Sequence, residues 1–152
     1  MATALWQPLG MPGGFAKIWH QDLNSTAELV NLRARLRAEL TGSATVVHPE
    51  QEHWSERLVL IADELASNAL RHGGAPVRAA LSRSGEDWLI AVADSAAERP
   101  PQPAQGRDPS RGGFGLYLVA DLAQAHGWRS QGSEKIVWAV LSSNSTRKPT
   151  RH

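Results

Sequence analysis

The clearest periodicity in the chain lies between residues 58 and 72. Leu58, Ile61, Leu65 and Ala69 recur every three or four positions and predict an amphipathic helix, which Gly73 and Gly74 stop. Pro49, with Glu50 and Glu52 close behind, marks its start, because proline suits a first helical position and acids suit the first turn. An earlier helix is announced by Ser25-Thr26-Ala27-Glu28, the pattern of a capping box. It places Leu29, Leu32, Leu36 and Leu40 on one face and Arg33, Arg35 and Arg37 outside it, and Gly42 ends it. Residues 15–23 alternate weakly and predict an edge strand. Residues 76–83 set Val77, Ala79 and Leu81 against Arg78, Ala80 and Ser82, a second strand; 84–87 turn, and 88–93 return as a more buried strand ending at Asp94. Residues 116–126 are apolar on more than one face and predict a buried helix capped by Gly127. Residues 130–133 then turn the chain into a strongly apolar strand over 135–141.

Two stretches lack this order. Residues 1–14 are rich in proline and glycine and are expected to be flexible, with Trp6 and Leu9 the side chains able to dock. Residues 95–113 carry prolines, arginines and glycines without periodicity, and an unpatterned stretch beyond about 12–15 residues reads as a lid or as disorder. A polar, basic tail over 142–152 is expected to be disordered.

Composition narrows the class. A chain of 152 residues suits one domain, here 15–141. A net charge of +1 gives no general pull toward nucleic acid or an anionic membrane. With no cysteine, disulfides, thiol catalysis and thiolate metal sites are excluded. The first residues lack a basic start followed by an apolar run, and no stretch reaches the roughly 18 apolar residues of a spanning helix. A cytoplasmic protein is expected.

The candidate chemistry lies in three places. Glu64, Asn68 and His72 are four residues apart and share one stripe of the long helix. Asp94 ends a strand, and Gly112-Gly113-Phe114-Gly115 opens a helix at Leu116. Glycines let backbone N–H groups approach an anion, and a helix start adds a positive field. Asn68 offers a neutral oxygen suited to Mg²⁺, Glu64 a proton acceptor, and Asp94 a fixed acceptor for an exocyclic amine. Arg99, Arg107 and Arg111 could meet phosphates when a lid closes, though for any single one the plainer reading is a solvated loop. The plainer reading makes the helix stripe a solvated face and His72 a cap at the helix C-terminus. The three pieces together favour a Mg–nucleotide site.

Glu64-Leu65-Ala66-Ser67-Asn68-Ala69-Leu70-Arg71-His72-Gly73, the strand-ending Asp94 and the run G-G-F-G-L-Y-L-V from Gly112 resemble the asparagine box and the two glycine boxes of the histidine-kinase-like ATPases, the GHKL superfamily. With the proline-rich stretch after Asp94 and the closing Val137-Trp138 strand, the chain is similar to the small actinobacterial anti-sigma-factor serine kinases and ATP-binding regulatory proteins. The resemblance implies an α/β two-layer sandwich, a mixed sheet covered on one face by helices (the Bergerat fold). It implies ATP and Mg²⁺ as cofactors, with Glu64 as the base for a substrate serine, Asn68 on Mg²⁺ and Asp94 on adenine. His72, Arg111, Gly112, Gly113, Phe114, Gly115 and Leu116 complete the implied nucleotide site. The implied partners are a sigma factor, held inactive, and an anti-sigma factor antagonist phosphorylated on serine, with no direct nucleic-acid or membrane contact. A homodimer through the first helix and the edge strand is compatible with it.

Two departures weigh against tight ATP binding. Asp94 is followed by Ser95-Ala96-Ala97-Glu98, where the family places glycines, and each Cβ narrows the approach of backbone to base. Ile136 stands where the family has a threonine that helps fix adenine, a loss of about 0.5–1.5 kcal/mol for one polar contact. They keep a second reading open, a non-catalytic regulatory module of the same fold with weak or no nucleotide binding.

Overall fold

The computed structural model describes residues 6–42, 49–101 and 114–143. Five strands, β1 (Ala16–Leu23), β2 (Val77–Ser84), β3 (Asp87–Asp94), β4 (Ala125–Gln131) and β5 (Glu134–Ser142), form one sheet in the order β1-β2-β3-β5-β4. Helices α1 (Leu29–Gly42), α2 (Pro49–His72) and α3 (Phe114–Leu122) make the second layer. The chain is thus the expected two-layer α/β sandwich. Its named strands all pair antiparallel rather than as a mixed sheet, and the parallel element is a lone bridge from Pro8 to Trp128.

Alternation decides what each strand gives to each layer. Val77, Ala79 and Leu81 of β2, Trp88, Ile90 and Val92 of β3, and Val137, Ala139 and Leu141 of β5 face the helices and join one buried core. α2 meets them with Leu58, Ile61, Leu65 and Ala69, the stripe its periodicity predicts, and Trp54 stacks on Trp88 with ring centres 5.7 Å apart. The other face holds a smaller cluster, Leu89, Trp138 and Val140, against which Met11 and Phe15 pack. The segment around residues 7–9 continues along β4: the Leu9 amide donates to the Trp128 carbonyl at 2.8 Å, and the Trp138 indole to the Leu9 carbonyl at 2.8 Å. Trp6 is buried at 2% exposure.

Three local expectations are revised. The predicted helix over 116–126 begins at Phe114 and stops at Leu122, and His126 and Gly127 lie in β4. The Ala123 amide still bonds back to Val119, but the next amide, of Gln124, donates across to Val140, so sheet pairing takes over. Gly127 is a slot rather than a cap: a Cβ there would lie 2.9 Å from the Leu9 Cβ and 3.0 Å from Trp138 Cζ2. The capping box is half made. Glu28 accepts from the Asn24 amide at 3.3 Å, while the Ser25 hydroxyl caps nothing and the first turn, Thr26–Glu28, is 3₁₀. The arginines of α1 are ties rather than a free face: Arg33 bonds Asp63 at 2.5 Å, Arg37 bonds Glu56 at 3.2 Å, and Arg35 lies over the Trp19 ring at 4.3 Å. Among the described residues no helix is long and apolar enough to cross a membrane.

Candidate functional site

The C-terminal half of α2 carries the stripe. Glu64 and Asn68 are half-buried beside the core stripe of Leu65 and Ala69, and His72 is exposed in the last turn. Helix α3 packs against α2, and its second residue comes so close that a Cβ on Gly115 would run into the Glu64 carboxylate. The glycine is therefore what lets the α3 backbone lie on the proposed base. Burial raises the proton affinity of Glu64, the neighbouring Asp63 carboxylate raises it further, and Arg71 offsets part of the effect. A carboxyl tuned upward in this way suits proton transfer near neutral pH better than an ordinary one.

The helix end and the strand end are locked together. The Gly73 amide donates to Ala69 at 2.9 Å, and the Ser95 amide donates to the Gly74 carbonyl at 2.8 Å. A Cβ on Gly73 would lie 2.5 Å from Asp94 Cγ, and one on Gly74 would strike the Ser95 hydroxyl. These glycines read in the sequence only as a helix stop, yet they let Asp94 tuck under the end of α2. Asp94 is 1% exposed. Its Oδ1 accepts from the Ala96 amide at 2.8 Å, and its Oδ2, buried, has no hydrogen-bond partner among the described residues.

Among the described residues, the cation paired with Oδ2 is one the sequence did not single out. Lys135 is paired with Asp94 across β3 and β5, so both side chains point to the helix layer, and Lys135 Nζ stands 3.6 Å from Oδ2. That is an ion pair too long for a hydrogen bond. Burial lowers the Lys135 pKa and the Asp94 carboxylate holds it up in part, with Arg99 pushing it down again. The same register corrects the expectation for Ile136. It pairs with Ala93 and so lies on the sheet's opposite face, and a threonine there would not reach Asp94. β5 is apolar at every position from Ile136 to Leu141, so its pairing with β3 is what shows which face position 136 takes.

The remaining predicted residues divide. Leu116 is 1% exposed, its side chain in the core and its carbonyl accepting from the Trp6 indole at 3.3 Å, so its part in a site is played by backbone. Arg99 donates to the His72 carbonyl at 3.3 Å and adds positive charge at the α2 C-terminus, where Arg71 and His72 stand in the last turn. Arg107, Arg111, Gly112 and Gly113 lie outside the described residues, as does the Phe114 side chain; so do most of the expected lid and tail. Beside Asp94, residues 95–99 and the Gly132–Ser133 turn line an open cleft of about 500 Å³. The Ser130 hydroxyl donates to the Ala97 carbonyl and pins this loop to β4.

The donor set fits a Mg–nucleotide. Asp94 Oδ2 is a buried acceptor without a hydrogen bond among the described residues, a backbone free of side chain lies on Glu64, and Asn68 follows Glu64 by one turn on the same stripe of α2. Among the described residues no group of three or more His, Cys, Asp or Glu is placed to hold a metal ion, so a cation at Asn68 would draw its other ligands from waters and phosphates.

The model of the histidine kinase-like ATPase domain matches residues 25–141, well over half of the chain. Among solved structures, the chain is similar to the Acinetobacter baumannii histidine kinase AdeS, at 17% identity and a TM-score of 0.43 over 85% of this chain and 70% of that one. No curated protein matches the sequence. The chain belongs to the histidine kinase-like ATPase domain family.

Proposed function

We propose that the protein is a cytoplasmic ATP- and Mg²⁺-dependent protein-serine kinase that phosphorylates an anti-sigma factor antagonist and sequesters a sigma factor. The observation that carries this reading is Glu64, a half-buried carboxyl of raised proton affinity with the Gly115 backbone directly against it. ATP, when bound, supplies the phosphoryl group. Glu64 takes the proton of the serine hydroxyl, Asn68 presents its oxygen to Mg²⁺, and Asp94 Oδ2 accepts from the base amine. Gly113 and Gly115, with Arg111, Gly112, Phe114 and Leu116 around them, provide backbone donors for the phosphates. Such transfer needs mainly positioning and charge neutralisation, which these groups supply. The resemblance of the asparagine box to the anti-sigma kinases supports the choice of substrate and partners, and the exposed edge of β1 leaves room for a homodimer.

The test is calorimetric titration with ATP, with and without Mg²⁺, beside Asp94→Asn, followed by phosphoryl transfer with Glu64→Ala. Binding that needs Mg²⁺ and Asp94, and transfer lost in Glu64→Ala with binding kept, is the expected result. Loss of both in Glu64→Ala would remove its role as base.

One observation favours the second reading, a partner-binding module indifferent to nucleotide: Asp94 is 1% exposed and already faces a cation. That reading expects sigma-factor capture unaffected by ATP and by Asp94→Asn.

A further inference from the structure

We propose that Lys135 is an affinity-setting residue of the nucleotide site, a latch that holds Asp94 closed until an incoming base amine displaces it. The inference rests on the reading of Asp94 as the base acceptor. Asp94 is walled in on three sides. The Gly73 backbone lies against its carboxyl carbon, the Ala96 amide occupies Oδ1, and Lys135 Nζ stands over Oδ2. With side-chain exposures of 4% for Lys135 and 1% for Asp94, no ligand atom reaches Oδ2 unless one of these three gives way. The Gly73 and Ala96 contacts are made by backbone fixed at a helix end and a strand end. Lys135 is the one long, flexible side chain among them.

The pair is also built to be exchanged. Taking an ammonium and a carboxylate out of water costs several kcal/mol per ion, and a contact at 3.6 Å, without a hydrogen bond, recovers this poorly. A base amine at true hydrogen-bond distance would satisfy Oδ2 better than the lysine does. Arg99, bonded to the His72 carbonyl nearby, adds a second positive charge that disfavours the ammonium where it stands. The cleft beside it, lined by residues 95–99 and including the Glu98 carboxylate, offers the displaced ammonium solvent and an opposite charge. The register makes the arrangement obligatory. Asp94 and Lys135 are cross-strand partners, so any β5 in this pairing presents the side chain at 135 to the carboxylate at 94.

The experiment is an ATP–Mg²⁺ titration by calorimetry of the full chain, of Lys135→Thr, of Lys135→Gln and of Lys135→Thr/Asp94→Asn, with thermal melts to show that each is folded. Lys135→Thr is expected to bind about tenfold or more tightly than the original chain, because the site no longer has to be opened before the base can enter. Lys135→Gln, which keeps an N–H for Oδ2 without the charge, should fall between, and the double variant should lose the gain. Should Lys135→Thr not fold, Lys135→Gln carries the same comparison. Equal or weaker binding by a folded Lys135 variant, with the original chain binding ATP, overturns the latch alone. No heat from any of the four folded proteins at millimolar ATP overturns the nucleotide reading and the latch with it.

Discussion

At the scale of the residue, Glu64 joins two demands that oppose each other. Its folded-state pKa is raised above the ordinary value of 4.5, chiefly by burial, so the folded chain prefers the protonated form. The stability this contributes is present at low pH and is lost as pH rises through the raised pKa. At neutral pH the ionised carboxylate is a strain on the fold. Glu64→Gln should therefore melt at the same or a slightly higher temperature than the original chain at pH 7, while losing phosphoryl transfer; a clear drop in melting temperature would contradict this assignment. In the original chain, transfer should decline as pH falls through a value above the normal carboxylate range, a profile read from initial rates. Ile136 gives the opposite kind of test. Because it faces away from Asp94, Ile136→Thr should change ATP affinity by less than about twofold, where the motif alignment expects a gain worth about 0.5–1.5 kcal/mol. Calorimetry on that one variant separates the two.

At the scale of the element, the legible parts were those governed by local rules. The apolar period of α2, its proline start and its glycine stop all act within a few turns, and the helix forms where they place it. Alternation in β2 likewise reports the two faces of the sheet, while β3 and β5 are legible as strands from their apolar runs. The end of α3 was not legible, because Ala123, Gln124 and Ala125 suit a helix as well as a strand and the choice is made by pairing with Val140, distant in sequence. For the same reason Glu64, Asn68 and Asp94 could be picked out by motif, but Lys135 could not, since only the β3–β5 register brings it to Asp94. Gly73 shows how a local signal conceals a tertiary one. It follows the last residue of α2 without a left-handed backbone, and it also lies against Asp94. Gly73→Ala should cost about 1–3 kcal/mol, since its Cβ would meet Asp94 Cγ at 2.5 Å and the Ala69 carbonyl at 2.7 Å. Urea unfolding measures the loss, and a neutral result would mean that the junction of α2 and β3 is looser than its contacts indicate.

At the scale of the molecule, the sheet is covered on one face by three helices and on part of the other by residues 11 and 15, with residues 7–9 laid along β4. The segment ties a region near one end of the chain to the start of α3 and to β5, through the Trp6 bond to Leu116 and the Trp138 bond to Leu9. A chain lacking residues 1–9 should keep the sandwich and unfold faster, by about 5- to 30-fold if the lost contacts are worth about 1–2 kcal/mol and form after the folding transition state. Stopped-flow unfolding in urea checks this, and an unchanged rate would show that the segment adds no barrier. Its anchors lie 110 and 129 positions away along the chain. During synthesis, then, Trp6 emerges well before Leu116 and His126, its partners in α3 and β4. Until those elements follow it is an exposed apolar side chain, and what shields it is made 110 positions later.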